Sequence, residues 1–265
     1  MRLKTLAAIL AASTLALSAC GSDDDDGGGG SGSGSDISTI SEGTLTVCSD
    51  IPYEPFEYED GGGYTGFDMD LMAAIAKGLD LELEVKDVGF DGLQSGASLA
   101  AGQCDIGASA MTITEEREAN IDFSEPYYDS KQTLLVPSDS DIQSIDDLSG
   151  TKVGVQQGTT GKLYAEENAP DDAELVSFPS DAELYQAIKS GSIDAILQDL
   201  PVNLTHTEDG DFQIVEEYDT DESYGFAVKE EGAEALLEGV NEQLAKLKKD
   251  GSYDKIYNKY FSTAN

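Results

Sequence analysis

Short runs rich in β-branched residues alternate with helical patterns along most of this chain. The alternation starts at Leu45, and segments of about 10–15 residues with helical periodicity separate the runs. Such an order is typical of βαβ units, in which neighbouring strands are parallel. One extended stretch, 126–136, divides two series of these units, and a second, 218–228, precedes the terminal helical segment. The order predicts an α/β fold of two lobes, each a mainly parallel sheet flanked by helices, joined by a two-stranded hinge.

Periodicity assigns the individual segments. The predicted strands are Leu45–Asp50, Leu81–Val88, Cys104–Ser109, Lys152–Val155, Glu174–Phe178 and Ile193–Leu197. The predicted helices are Gly92–Ala101, Gly161–Asn168, Asp181–Lys189 and Gly232–Lys249. A glycine-rich hairpin at 60–66 leads into a further helix, which we expect Asp68 and Asp70 to cap.

The N-terminal residues differ in character from the rest. Two basic residues precede an apolar run, 6–16, which is too short to span a membrane as a stable helix. Leu17-Ser-Ala-Cys20 follows and resembles a bacterial lipobox, so we expect a signal peptide at 1–20 and a lipid on Cys20. The alternative is an ordinary signal peptide with an unrelated cysteine. Residues 21–35 are only Gly, Ser and Asp, which predicts a disordered linker.

The chain is strongly acidic. It has 53 Asp+Glu against 15 Lys+Arg, a net charge of −38. This charge repels phosphate and anionic lipid, so we expect no nucleic-acid partner and membrane attachment only through Cys20. Such an excess of acid is typical of halophilic proteins, in which salt screens the self-repulsion.

Few residues suit metal or redox chemistry. Cys48 and Cys104 lie in predicted strands of an exported chain, so we expect a disulfide, with two buried free thiols as the alternative. The single histidine, His206, supports neither a zinc site nor a catalytic triad, and we expect it in a solvated loop. The G-x-G-x-x-G match at 61–66 is expected to be a hairpin turn. We therefore predict no cofactor and no metal.

Seven short motifs occur in order between residues 40 and 263. They are Tyr53-Glu-Pro-Phe-Glu57, Gly66-Phe-Asp-Met-Asp-Leu71, Phe90-Asp-Gly-Leu93, Ser109-Ala-Met-Thr-Ile-Thr-Glu-Glu-Arg117, Ile121-Asp-Phe-Ser124 with Tyr127-Tyr128, Gly154-Val-Gln-Gln-Gly-Thr-Thr160 and Ile193-Asp-Ala-Ile-Leu-Gln-Asp199. Together they resemble the polar-amino-acid class of extracellular solute-binding proteins, family 3, which serve ABC importers. The resemblance implies a ligand held between two hinged lobes. The expected bounds are 36–126 and 224–265 for lobe 1, 131–217 for lobe 2, and 127–130 and 218–223 for the hinge.

The resemblance also implies which residues grip the ligand. Arg117 would hold the α-carboxylate and Asp199 the α-ammonium, while Tyr53 and Phe90 would enclose the side chain. The remaining residues of the predicted site are Asp50, Ser109, Ala110, Thr112, Gln156, Gly158, Thr159 and Thr160. Of these, Thr112 would add a hydroxyl, the 158–160 segment a helix N-terminus that attracts the carboxylate, and Asp50 a contact to the distal end of the ligand.

The charges agree with this assignment on physical grounds. Arg117 is the only arginine beyond the leader, and its planar fork fits a carboxylate with two parallel bonds. A free amino acid is a zwitterion, so burying it requires a counter-charge at each end. Arg117 and Asp199 on opposite lobes would supply both and would favour the closed state. The alternatives are a surface arginine on a helix and an aspartate that only ends a strand.

Ligand and function follow from the same residues. No second arginine is present for an acidic side chain, and Asp50 suits a cation or an amide, so a basic or polar neutral amino acid is favoured. We expect a monomeric, lipid-anchored binding protein on the outer face of the cytoplasmic membrane. It would deliver a free amino acid to an ABC transporter permease without catalysis. The alternatives are an enzyme resembling cyclohexadienyl dehydratases, with Glu54 or Asp50 as its acid, and the ligand-binding domain of a sensor.

Overall fold

The computed structural model describes residues 37–262. The predicted signal peptide, the lipidation site at Cys20 and the linker at 21–35 lie outside the described residues. Between residues 37 and 262, no helix is both long enough and apolar enough to cross a bilayer.

Strands and helices alternate along the described chain. The strands are β1 (Thr44–Ser49), β2 (Tyr58–Asp60), β3 (Gly63–Thr65), β4 (Glu82–Asp87), β5 (Ile106–Gly107), β6 (Ile121–Phe123), β7 (Tyr128–Pro137), β8 (Lys152–Gln156), β9 (Glu174–Phe178), β10 (Ala195–Asp199), β11 (Phe212–Tyr224) and β12 (Ala227–Lys229). The helices are α1 (Phe67–Gly78), α2 (Phe90–Gln94), α3 (Ala97–Ala100), α4 (Glu115–Glu118), α5 (Thr160–Asn168), α6 (Asp181–Lys189), α7 (Leu200–His206), α8 (Glu234–Asp250) and α9 (Ser252–Phe261).

Two five-stranded sheets form the centres of the two lobes. The first has the order β4-β1-β5-β12-β6, with β1 parallel to β4 and β5, and β12 antiparallel to both of its neighbours. The second has the order β11-β7-β10-β8-β9, with β8 parallel to β9 and β10, and β7 antiparallel to β10 and β11. Each sheet thus joins a parallel βαβ series to the antiparallel strands on which the chain crosses between the lobes. The α/β fold of two lobes is as predicted.

The chain returns to the first lobe after β11. Leu236, Val240 and Leu244 of α8 are buried in the same core as Leu45 and Val47 of β1. Helix α9 adds aromatic side chains to this core, and the rings of Phe67 and Phe261 lie 5.0 Å apart, edge to face. The first lobe is therefore closed by the C-terminal helices, since their apolar faces complete its core.

Several predicted elements need correction. The helix predicted over Gly92–Ala101 is wrong, because α2 and α3 are separated at Gly96, whose φ of 77° is left-handed. The strand predicted over Cys104–Ser109 is reduced to the two residues of β5. Helix α1 begins after Gly66 without a side-chain cap, so the capping role expected of Asp68 and Asp70 is also wrong.

A disulfide links strand β1 to the segment before β5. Cys48 and Cys104 are bonded, with a Cα–Cα distance of 5.7 Å. Both cysteines are buried in a small apolar cluster with Phe90 and Leu93. The bond therefore lies inside the first lobe and beneath α2.

We expect Gly66→Ala to destabilise the protein strongly. Gly66 has φ 127° and ψ 173°, a conformation essentially restricted to glycine, and an added Cβ would lie 2.1 Å from the Phe56 carbonyl oxygen. The expected loss in the free energy of unfolding is roughly 2–4 kcal/mol, measured by chemical denaturation. Gly63→Ala in the same hairpin is the control, because its Cβ would meet no atom closer than 4.0 Å. Equal effects of the two substitutions would contradict the argument.

Candidate functional site

The site lies where loops from the two sheets meet. Tyr53 follows β1, Ser109 to Thr112 follow β5, Thr159 and Thr160 begin α5 after β8, and Asp199 ends β10. Carboxyl ends of parallel strands commonly form such a crevice. Nine of the twelve predicted ligand residues line one narrow cavity of about 10 Å³: Tyr53, Phe90, Ser109, Ala110, Thr112, Arg117, Thr159, Thr160 and Asp199. The other three, Asp50, Gln156 and Gly158, lie outside this lining.

Arg117 is buried and reaches from one lobe to the other. Its backbone N–H donates to the Thr114 hydroxyl, which caps the short helix α4. Its guanidinium donates from Nη1 to the Thr112 carbonyl at 2.6 Å and from Nη2 to the Gly158 carbonyl at 3.0 Å. The group also stacks over the Phe90 ring, 5.3 Å from the centroid. These contacts fix the plane of the guanidinium.

Arg117 remains charged despite its burial. Desolvation lowers its pKa to about 10, and the negative charges of Asp199 and Glu222 oppose that change. In the described part of the chain, its nitrogens form no ion pair. A buried guanidinium bonded only to carbonyl oxygens favours the approach of an anion.

Asp199 is the facing carboxylate. It accepts hydrogen bonds from the Tyr53 hydroxyl at 2.8 Å, the Tyr224 hydroxyl at 2.6 Å and Gln132 Nε2 at 2.6 Å. Burial raises its pKa to about 6, with a further increase from the charge of Glu222, while the hydrogen bonds act in the opposite direction. The carboxylate is therefore mainly ionised at neutral pH and held in a fixed orientation.

Sequence reasoning missed two polar residues of the site, Glu222 and Gln132. Glu222 on β11 accepts from the hydroxyls of Thr112 and Thr160, both at 2.8 Å. Gln132 on β7 donates to both Glu222 and Asp199. Glu222 stands in an acidic stretch and Gln132 in the polar run Asp129-Ser-Lys-Gln-Thr133, so no local pattern marks either residue.

A second polar group surrounds Asp50. Asp50 is buried and accepts from Gln156 Nε2 at 2.6 Å, a contact between the lobes. Burial raises its pKa to about 7, opposed by the Gln156 hydrogen bond and reinforced by the charges of Asp87 and Asp181. Asp50 therefore changes charge near neutral pH.

His206 is placed differently from the prediction. It is buried at the end of α7, not solvated in a loop. Its Nε2 lies 2.9 Å from Asp181 Oδ1, which also accepts from Gln198 Nε2 at 2.9 Å. Its ring stacks on Tyr185 with centroids 3.9 Å apart. Tertiary contact with α6, which the local polar sequence does not reveal, explains the error.

These contacts create a recognition site with separated charges. The guanidinium of Arg117 and the carboxylate of Asp199 face a common cavity, and aromatic rings of Tyr53 and Phe90 line it. Among residues 37–262, no group of three or more His, Cys, Asp and Glu residues could hold a metal ion. The arrangement can bind a small molecule with an anionic and a cationic end.

Comparison with known proteins identifies relatives along nearly the whole chain. A probable histidine-binding protein of Neisseria gonorrhoeae is 34% identical, covering 98% of this chain and 96% of its own length. The ABC transporter glutamine-binding protein GlnH of Bacillus subtilis is also 34% identical, with 97% and 96% covered. An ancestral arginine-binding protein bound to glutamine has 39% identity and a TM-score of 0.79, covering 84% of this chain and all of that structure.

The model of one protein family matches residues 45–263. That range contains every residue of the site described above and, apart from Thr44 at the start of β1, both sheets. The family and the relatives are binding proteins rather than enzymes. This chain belongs to the bacterial extracellular solute-binding proteins, family 3.

Proposed function

We propose that this protein captures a free amino acid between its lobes and delivers it to the permease of an ABC transporter. The observation that carries the proposal is the convergence of Arg117 and Asp199 on one cavity between the sheets. The ligand's α-carboxylate would bind Arg117 and the N-terminus of α5, and its α-ammonium would bind Asp199. Each charge of the zwitterion would thus meet its opposite away from water.

The ligand would also hold the lobes together. Contacts already join loops of the first sheet to the second, among them Tyr53 to Asp199, Arg117 to Gly158, and Gln156 to Asp50. A ligand that binds residues of both lobes stabilises only the closed arrangement, so it would shift the population towards the closed state. Closure would bend the chain at 127–130 and 218–223, between lobe 1 (36–126 and 224–265) and lobe 2 (131–217).

A basic amino acid is favoured, with a polar neutral one such as glutamine next. Three buried carboxyl groups, those of Asp50, Asp199 and Glu222, stand against the single guanidinium of Arg117. A cationic side chain would offset part of this excess, whereas an acidic one would add to it.

The protein would act as a monomer anchored by a lipid on Cys20 at the outer face of the cytoplasmic membrane.

Calorimetric titration with single amino acids tests both the function and the ligand class. We expect arginine, lysine or glutamine to bind at least about tenfold more tightly than glutamate, a difference of about 1.4 kcal/mol. The reason is the repulsion between an acidic side chain and the buried carboxyl groups. Tighter binding of glutamate would overturn the proposed ligand class, and no binding by any amino acid would overturn the function.

Arg117→Lys should weaken ligand binding at least about tenfold, because a lysine keeps the charge but cannot form two parallel bonds to a carboxylate. Asp199→Asn should have a similar effect on the ammonium. The exposed Glu118 on the same helix provides the control, since Glu118→Gln should leave affinity unchanged. If Arg117→Lys unfolds the protein at ordinary temperature but binds normally when folded, Arg117 is structural and not a ligand residue.

Affinity for arginine should rise as the pH increases through about 7, because the pKa of Asp50 is raised to about 7 and only its ionised form attracts a cation. Asp50→Asn should remove most of this pH dependence and should weaken the binding of arginine more than the binding of glutamine. Titrations at a series of pH values, with both ligands, measure the effect. An unchanged pH profile in Asp50→Asn would show that Asp50 does not face the ligand's cationic end.

A further inference from the structure

Two carboxylic acids are fully buried behind the loop of residues 109–112, called here the ligand loop, and outside the cavity. Glu57 follows Tyr53 in the loop after β1, and Asp68 is the second residue of α1. Both have 0% of their surface exposed. In the described part of the chain, neither forms an ion pair with a lysine, an arginine or the histidine. Two uncompensated negative charges in such a place would be costly.

Each acid holds one of two consecutive residues of the ligand loop. The Ser109 hydroxyl donates to Glu57 Oε1 at 2.6 Å, and the same hydroxyl oxygen accepts from the Asp50 N–H at 3.1 Å. The Ala110 N–H donates to Asp68 Oδ2 at 2.9 Å. Ala110 has φ 44°, a left-handed conformation that a non-glycine residue adopts only when its surroundings hold it.

The remaining oxygens of the two acids lack hydrogen-bond partners. Asp68 Oδ2 also accepts from the Tyr127 hydroxyl at 2.7 Å, but Asp68 Oδ1 and Glu57 Oε2 are buried and form no hydrogen bond. The hydroxyl of Ser49 lies near Glu57 and favours its charged form, although the two groups do not reach hydrogen-bond geometry. Buried polar atoms without a hydrogen-bond partner are rare in folded proteins, and a proton between the two oxygens would give both of them a partner.

The electrostatic surroundings also favour a proton. Burial raises the pKa of Glu57 well above its ordinary range, and the charges of Asp68 and then Asp50 raise it further. Burial raises the pKa of Asp68 to about 7, opposed by its bonds from Ala110 and Tyr127. The groups that face the acids are thus Ser49, Asp50 and Ser109 on the Glu57 side, and Ala110 and Tyr127 on the Asp68 side. None of them carries a positive charge.

We infer that Glu57 and Asp68 share one proton between Glu57 Oε2 and Asp68 Oδ1, and that this acid pair positions Ser109 and Ala110 for the ligand. The pair consists of positioning residues, because neither lines the cavity. The positioning role rests on the proposed function, whereas the shared proton does not. A single amide in place of either acid would reproduce the protonated partner, since its NH₂ would donate to the remaining carboxylate.

The sign of the pH dependence follows from the raised pKa values. A carboxyl whose folded pKa lies above its unfolded one contributes stability that is complete below the unfolded pKa. That contribution is lost as the pH rises through the folded pKa. The protein should therefore lose stability as the pH rises from about 4, near the pKa of the unfolded acids, through about 7, as the shared proton leaves and two like charges remain.

The test compares Glu57→Gln, Asp68→Asn and the double variant with the wild type, using Glu59→Gln on the exposed strand β2 as the control. Thermal midpoints without added amino acid are measured from about pH 4 to about pH 9. Each single variant should flatten the decrease in the midpoint with rising pH that wild type and Glu59→Gln show. The double variant should melt below either single one at neutral pH, because two amide NH₂ groups would then face each other. Asp50→Asn, measured in parallel, separates the titration of Asp50 from that of the pair.

Calorimetry with arginine and with glutamine then tests positioning. Each single variant should bind within about threefold of wild type at neutral pH, and the double variant should bind at least about tenfold more weakly. A decrease in the midpoint with rising pH that is unchanged in both single variants would overturn the shared proton, as would failure of both to fold at neutral pH. If the double variant binds as wild type does, the pair does not position the loop. If the wild type binds neither ligand nor any other amino acid, the proposed function fails, while the melting data still decide the shared proton.

Discussion

Buried charge between two sheets is the constraint on which the rest of this structure depends. Arg117 lies away from water and bonds to carbonyl oxygens of both lobes, and Asp199 is held by two tyrosine hydroxyls and an amide. Such groups are costly to bury unless each one is paired or hydrogen-bonded. The long strands β7 and β11 carry Gln132 and Glu222. Gln132 donates to both Asp199 and Glu222 and so completes the hydrogen bonding of these carboxylates. A small zwitterion is the kind of molecule that would complete the pairing.

The aspartate and glutamate residues of this protein differ in how deeply they are buried. Most of the negative charge is on the surface, where water and salt screen it. A second set lies between the sheets: Asp199 lines the cavity, and Asp50 accepts a hydrogen bond from Gln156 of the other lobe. The third set is the pair of Glu57 and Asp68, which accept hydrogen bonds from the Ser109 hydroxyl and the Ala110 N–H. In the last two sets burial raises the pKa, so solvent access rather than residue type decides which carboxyls are charged at neutral pH.

Much of the fold was predictable because its signals are local. The alternation of strands and helices follows from periodicity, and the order of the motifs placed most of the candidate site on loops that share one edge of each sheet. The errors occur where local signals are weak or are overridden. Gly96 interrupts a helical pattern because the chain turns there, and Asp68 resembles a helix cap but bonds to Ala110 across the loop. His206 has a polar local sequence and is nevertheless buried against Asp181 and Tyr185.

The sequence by itself determined the α/β class, the order of the elements and the identity of the two charged residues proposed to grip a ligand. These depend on spacing, residue type and motif order, which can be read along one dimension. Only the tertiary structure decided that Glu222 bridges Thr112 and Thr160, that Gln132 joins two carboxylates, and that the buried Glu57 and Asp68 bond to the consecutive residues Ser109 and Ala110. The physical reason is that burial and hydrogen bonding depend on neighbours that are distant in the chain, such as Glu222 and Thr112, which are separated by 110 residues.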